Sequence, residues 1–366
     1  MTYALAPPLR VLWSHPQVTG FVVVPPYNRI VATLFNEGVV GLDFGGAVQW
    51  RLEEDLPVRQ IVRGTESYSA WNGKLHHTDI LKGGGRQQEL EGSLIHVTND
   101  GKGLLLWHHE NDWDKDRYHS RIEFRTLLDN STVLVWVHKD EGAQRACTAF
   151  GTESVVASNN LFIARRPARL LNIDVTSGTV HWDADLNDTK PEPGIGVPAD
   201  LRTTPLVADD LILAPTPFGF GAFKLDNGAL VWRHHVHAGP FNVYNDRLYM
   251  ATGINFTGYR IVDMNTGETL FQREVSDDIA KKYRFGYVKL NSGFAVTETN
   301  TFVGDNFGRL WALERDTGEP VWFHHPDKAA PYVAARKPVM EGNRLYINGF
   351  STDPNRPQFL YCYEQA

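Results

Sequence analysis

The chain has 366 residues, 42% of them hydrophobic and 22% charged, proportions of an ordinary folded protein that exclude a disordered or membrane-embedded class. Its 43 acidic residues outnumber its 36 basic ones for a formal charge of −7, which argues against the basic footprint that a phosphate backbone requires, so no nucleic-acid partner is expected. No apolar run reaches the roughly 18 residues of a membrane span; the most apolar stretch, VTGFVVVPP, is cut by Gly20, Pro25 and Pro26, and no membrane insertion is expected.

The N-terminal MTYALAPPLR carries a single basic residue and two prolines, without the apolar core of a signal peptide. Cys147 and Cys362 are the two cysteines and lie far apart. That pattern fits reduced thiols better than a disulfide framework, and the expected location is the cytoplasm.

Taken in chain order, one pattern recurs: a glycine, three residues, then an aromatic. Gly46 to Trp50 (GAVQW), Gly103 to Trp107 (GLLLW), Gly178 to Trp182 (GTVHW), Gly228 to Trp232 (GALVW), Gly267 to Phe271 (GETLF) and Gly318 to Trp322 (GEPVW) are clear copies. Gly142 to Ala146 (GAQRA) follows the strand-like TVLVWVHK and lacks the aromatic, and LRVLW, ending in Trp13, lies at the extreme N-terminus. Most copies are preceded by an alternating apolar strand and a turn, as in LLNIDVTSG, GAFKLDNG, YRIVDMNTG and RLWALERDTG. Glycine's positive φ makes these tight hairpins. Two further strands lie upstream in each case, for example TTPLVADD and LILAPT, so each repeat is a four-stranded meander. Helix patterning is confined to SDDIAKKYRF.

Meanders of this length are the period of propeller blades, which bury their faces only against neighbours. The spacing predicts an all-β, eight-bladed β-propeller of four-stranded antiparallel blades in a single domain, residues 1–366. Seven blades, with residues 108–150 as an irregular insertion, is the alternative. The last copy, from residue 336 onward, supplies three strands and lacks its glycine-to-tryptophan strand. The N-terminal LRVLWSHP fits there and removes an open sheet edge. Trp13, Trp50, Trp107, Trp182, Trp232, Phe271 and Trp322 are assigned a structural task, docking on the adjoining blade, where an indole buries roughly 150–250 Å².

The strings ALERDTGEPVW, IDVTSGTVHW and AFKLDNGALVW resemble the tryptophan-docking repeat of quinoprotein-like (PQQ-like) propellers, strongly from about residue 153 onward and loosely between residues 60 and 150. The resemblance implies the propeller fold. It spans quinone-dependent dehydrogenases, outer-membrane assembly factors and propellers without known chemistry. The vicinal cysteines that many of the dehydrogenases carry are not matched by Cys147 and Cys362, and the assembly factors' lipoprotein leader with its N-terminal cysteine has no counterpart in MTYALAPPLR. No cofactor is expected.

Within a meander the first-to-second and third-to-fourth turns share one face, and these are short here: ADD, YND, DNG, NTG, DTG. The opposite set is long and varied, including LKGGGRQQELEG, HHENDWDKDRYHSR and SDDIAKKYRFGY. Insertions of this kind mark a binding face. Candidate binding residues there are Asp112, Trp113, Asp114, Arg166, Phe218, Phe220, Phe256, Tyr283, Arg284 and Phe307, an aromatic and charged mixture suited to a protein partner. Histidines follow several blade-ending aromatics (His15, His108, His109, His234, His235, His324, His325), but on separate blades, so local packing outweighs a shared metal site and no metal ligand is assigned. HHE at residues 108–110 lacks the second histidine of the HExxH motif, LKGGGR lacks the GK[ST] of a phosphate loop, and no nucleophile elbow is present, so no catalytic residue is named. The expected function is a non-catalytic, monomeric scaffold binding a protein or peptide on the long-loop face. The alternative is an enzyme or small-molecule binder using the central funnel.

Overall fold

The computed structural model describes residues 4–35, 37–53, 60–71, 73–112, 117–129, 131–141, 150–165, 169–186, 205–216, 219–236, 238–253, 255–285, 288–290, 292–325, 333–335, 338–351 and 359–366. Residues 18–52, 61–89, 93–141, 150–185, 206–234, 238–274 and 295–324 each fold into a four-stranded antiparallel meander, the first to the seventh blade in chain order. The eighth sheet runs Leu9–Pro16, Phe359–Gln365, Arg344–Ser351, with the short Val333–Ala335 and Val339–Glu341 both pairing to Arg344–Ser351. These eight sheets of the described residues make the chain an eight-bladed β-propeller. It falls into two compact units: residues 1–53 with 236–366 hold the first, sixth, seventh and eighth blades, and residues 54–235 hold the second to fifth.

Burial drops at the outermost, fourth strand of a blade. In the first blade the third strand, Gly38–Leu42, is wholly buried, whereas the fourth, Val48–Leu52, buries Trp50 alone. Val180–Asp185 and Leu230–His234 repeat this, burying only Trp182 and only Trp232. An outer strand has solvent on its free edge, so its one buried side chain is what ties it to anything beyond its own sheet.

The tie is specific. Trp13 Nε1 donates to Phe44 O at 2.9 Å, Trp136 Nε1 to Val175 O at 2.9 Å and Trp182 Nε1 to Leu225 O at 3.1 Å, each acceptor lying in the next sheet just before that sheet's repeat glycine. Gly178 and Gly228 have φ of +74° and +70°, and a Cβ at Gly228 would lie 2.6 Å from the Trp182 ring. The glycine is therefore needed twice, for its backbone conformation and as the floor on which the preceding blade's indole lies. The glycine and tryptophan of one repeat thus serve different neighbours.

Three expectations are corrected. Trp107 does not end a blade: it lies in Gly103–Asp112, the second strand of the third blade, half-buried in the core, and Trp136 in Thr132–Glu141 takes the docking position. The long hairpin of residues 103–127 explains this, because two more strands follow GLLLW before the blade is complete. Residues 108–112, 117–129 and 131–141 are consequently blade and not insertion. Phe271, without an N–H, stays half-buried, and Tyr259 of the strand beside it supplies the bond, its hydroxyl donating to Arg315 O at 2.8 Å with the ring against Gly318. LKGGGRQQELEG is not a loop throughout, since Gly85–Glu89 is the fourth strand of the second blade and carries no aromatic. Trp322 packs on the cluster that holds Leu5 and Leu9. The helix over the SDDIAKKYRF segment is observed as α1, Val275–Tyr283.

Two substitutions test the docking arrangement by denaturant unfolding. Trp136→Phe keeps most of the ring but orphans Val175 O and is expected to cost about 1–3 kcal/mol. Gly228→Ala combines the strained φ with the indole clash and is expected to cost roughly 2–4 kcal/mol.

Candidate functional site

Of the ten residues proposed for binding, Trp113, Asp114, Arg166 and Phe218 lie outside the described residues, and Asp112 is the last residue of the strand Gly103–Asp112. Phe220 is a correction: it has no exposed surface, because it lies within the third strand of the fifth blade, Gly219–Lys224, which is buried on both faces, and its ring centre is 6.2 Å from that of Trp232. Phe256, Tyr283, Arg284 and Phe307 all fall in one unit, at the loops of the sixth and seventh blades; Phe256, Tyr283 and, through Arg309, Phe307 join one aromatic cluster, with Arg284 exposed beside it.

The helix α1 that links these two blades carries two of them. Asp277 and Asp278 in its first turn and Lys281 and Lys282 in its last complement the backbone dipole, and Val275 and Ile279, one turn apart, are buried. Arg273 Nε bonds Asp278 Oδ2 at 2.5 Å, and Lys282 Nζ and Tyr283 Oη donate to Pro320 O at 2.8 and 3.2 Å. This holds the Tyr283 ring 5.4 Å from Trp311 and 5.2 Å from Phe323. Arg284 ends the helix in the left-handed conformation and is exposed.

Opposite stands the turn from Asp305 to Arg309, between the second and third strands of the seventh blade. Fully buried Asp305 accepts the backbone N–H groups of Phe307 and Arg309 through Oδ1, and Arg309 Nε (2.6 Å) and Trp311 Nε1 (2.8 Å) through Oδ2. The Arg309 guanidinium carbon lies 4.2 Å from the Phe285 ring centre, 4.8 Å from Phe307 and 5.5 Å from Trp311. One guanidinium nitrogen has no hydrogen-bond partner; ring faces, negative at their quadrupole, take its place. Phe256 joins the same core from the turn of the sixth blade, its ring over Gly239 and its carbonyl accepting Leu290 N at 2.8 Å.

The outcome is an aromatic surface, half-buried at Tyr283, Phe285, Phe307 and Phe323, beside exposed Lys281, Lys282 and Arg284. Asp305, Phe285, Arg309, Trp311 and Phe323 were not singled out from sequence. The string DNFGRLW, with carboxylate, guanidinium and indole at i, i+4 and i+6, was the available clue.

The histidines resolve into packing roles. His138 and His234 lie edge-on to Trp136 and Trp232 at 5.3 and 5.5 Å, and His138 Nε2–H donates to Gly178 O at 2.6 Å. His324 Nδ1 meets Tyr363 Oη at 2.9 Å, and burial lowers its pKa. His108 Nε2 lies 3.3 Å from Glu123 Oε2 without an aligned hydrogen bond, and burial, opposed by Glu123, lowers its pKa. Burial pushes the Glu123 carboxyl up, but Arg125, His108 and Arg121 outweigh it and hold the group below the usual carboxylate range. Among the described residues no cluster of three His, Cys, Asp or Glu has metal-binding geometry.

The sequence profile of outer membrane protein assembly factor BamB, a PQQ-like repeat family, matches residues 90–278 and 259–353. The chain belongs to that family. No curated protein sequence matches it. Among solved structures, BamB from Moraxella catarrhalis superposes with a TM-score of 0.66 at 16% identity, covering 97% of each chain. Quinohemoprotein alcohol dehydrogenase from Comamonas testosteroni does so at 0.67 and 13%, covering 97% of this chain and 76% of that one. Sqt1 of Saccharomyces cerevisiae gives 0.63 at 9%, covering 95% and 96%. At these identities the likeness is one of fold.

Two outcomes are expected in solution. Asp305→Asn removes the charge that balances buried Arg309 and should cost about 3–5 kcal/mol in urea unfolding. Protons bind the unfolded chain before they bind His108, His77 and His324, whose folded pKa values are all lowered by burial. Stability should therefore be full above about pH 6.5 and fall as pH drops below it, with Glu123 adding a second loss below about pH 4.3. Melting temperature followed from pH 7.5 to 4 checks the sign, and His108→Gln should flatten the upper limb.

Proposed function

We propose that the chain is a non-catalytic scaffold that holds a protein or peptide partner on the aromatic surface built by α1 and the Asp305 to Arg309 turn. The observation that carries this reading is the meeting of Tyr283 and Phe285, at the end of α1, with Arg309, Phe307 and Trp311 of the seventh blade in one cluster flanked by exposed Lys281, Lys282 and Arg284. Aromatics fixed by packing lose little entropy on binding, and arginine beside them is the composition of interface anchors. Lys281, Lys282 and Arg284 favour an acidic segment on the partner and an association rate that falls with salt. Membership in a family named for an assembly factor supports a partner-binding role. The reading includes a monomeric protein in the cytoplasm, supported by the buried free thiol of Cys362.

The test places the photo-cross-linking residue benzoylphenylalanine at position 284 of the full chain in its own cell. One discrete protein adduct is expected, lost when Tyr283→Ala and Phe307→Ala are added and reduced at high salt. Absence of any adduct, or equal yield of the same adduct from the cross-linker at position 100 in a turn of the third blade, overturns the reading.

A further inference from the structure

A second site lies in the other unit and does not rest on the reading above. A cavity of about 840 Å³ opens where the fourth and fifth blades meet, lined by Asn160, Asn172, His181, Asp209, Asp210, Lys224, Leu225, Asp226 and Asn227. It sits at the end of the seam closed by the Trp182 bond to Leu225 O.

Asn172 is the informative residue. It stands opposite Trp182 in the blade register. The same place, across from the docking aromatic, is held by Gly41, Phe124, Ala222, Ile261, Ala312 and Cys362 in other blades. The fold therefore calls for a small or apolar residue there. Asn172 is 4% exposed, and its Oδ1 has no hydrogen-bond partner among the described residues. The Asn160 amide oxygen, on the same cavity wall, is also buried and unpartnered. A buried carbonyl oxygen without a donor costs roughly 1–3 kcal/mol, a cost that persists in a packed seam when something else fills it.

We infer that this cavity binds an alkyl ammonium or guanidinium group. Two orphan amide oxygens call for donors. Among the described residues of the lining, three carboxylates, Asp209, Asp210 and Asp226, stand against the one ammonium of Lys224, which Asp210 already engages at 2.7 Å. Asn227 Oδ1 is spent on the Ala229 N–H. A compact metal ion does not suit the set, since no three carboxylate or imidazole groups converge among the described residues. An elongated organic cation does: its charge meets the carboxylates at the mouth and its N–H groups reach the amides inside. The group arrives on a free oligoamine or on a lysine or arginine side chain.

Calorimetric titration of the full chain at low salt decides, with spermidine and arginine amide as probes and magnesium as a charge control. Saturable binding of at least one probe is expected where magnesium gives none, and Asp226→Asn and Asn172→Leu should each weaken it about tenfold, the loss of one charge-assisted hydrogen bond. Spermidine alone binding points to a free oligoamine; arginine amide binding points to a side chain. Asn172→Leu should fold with an unchanged or higher melting temperature, since the site is apolar elsewhere. The inference is overturned if neither probe exceeds the magnesium response, if both variants bind like the wild type, or if Asn172→Leu melts lower.

Discussion

An indole N–H directed at a backbone carbonyl of the adjoining sheet is the interaction on which this architecture depends. A four-stranded meander buries the faces of its inner strands against neighbouring sheets, but its outer strand faces water along one edge. The bonds from Trp13, Trp136 and Trp182 convert that outer strand from a liability into an attachment. Each needs an acceptor at one height above the next sheet and a glycine beneath the ring. Where the residue is Phe271, the fold keeps the acceptor and recruits Tyr259 from the neighbouring strand. The requirement is for a polar hydrogen on a flat ring at that height, more than for tryptophan at that sequence position.

That distinction explains what was legible in the sequence. The blade count was readable because the glycine, the turn and the ring repeat, and each is demanded by local geometry. Two blades were assigned through the wrong strands. GLLLW satisfies the spacing, yet it is an inner strand, because long-range pairing with residues 117–127 decides its place. TVLVWVHK holds the true docking residue without the glycine beforehand. His138, His234 and His324 stand beside the outer-strand indoles Trp136, Trp232 and Trp322, but Trp107 is followed by His109 at the same spacing, so this pattern does not separate an outer strand from an inner one. The candidate site was legible only in part. Exposed loop aromatics could be recognised as a class, but Arg309 and Asp305 act through a buried pair that composition does not distinguish from a surface one.

Buried polar groups are used in two contrasting ways. Asp305 has every lone-pair direction committed to a backbone or side-chain donor, and it orders a turn, a guanidinium and an indole at once. A network so completely satisfied rigidifies the surface above it. Asn172 carries an amide oxygen with no donor at a seam where other blades carry none. The first arrangement is explained by the fold itself, whereas the second finds no donor among the described residues.

The strand Leu9–Pro16 closes the sheet begun by Phe359–Gln365, with Arg10 bonded to Glu364 across 354 positions of sequence. On a ribosome adding about 5–20 residues per second, that first strand waits roughly twenty to seventy seconds for its partner. During that time an apolar strand with Val11, Leu12 and Trp13 has no sheet to join, and the first blade must stand beside it without the neighbour that Trp13 later provides. Synthesis therefore includes an interval in which this strand and the face of the first blade that it later covers are both open to water, until residues 359–365 emerge to pair with it.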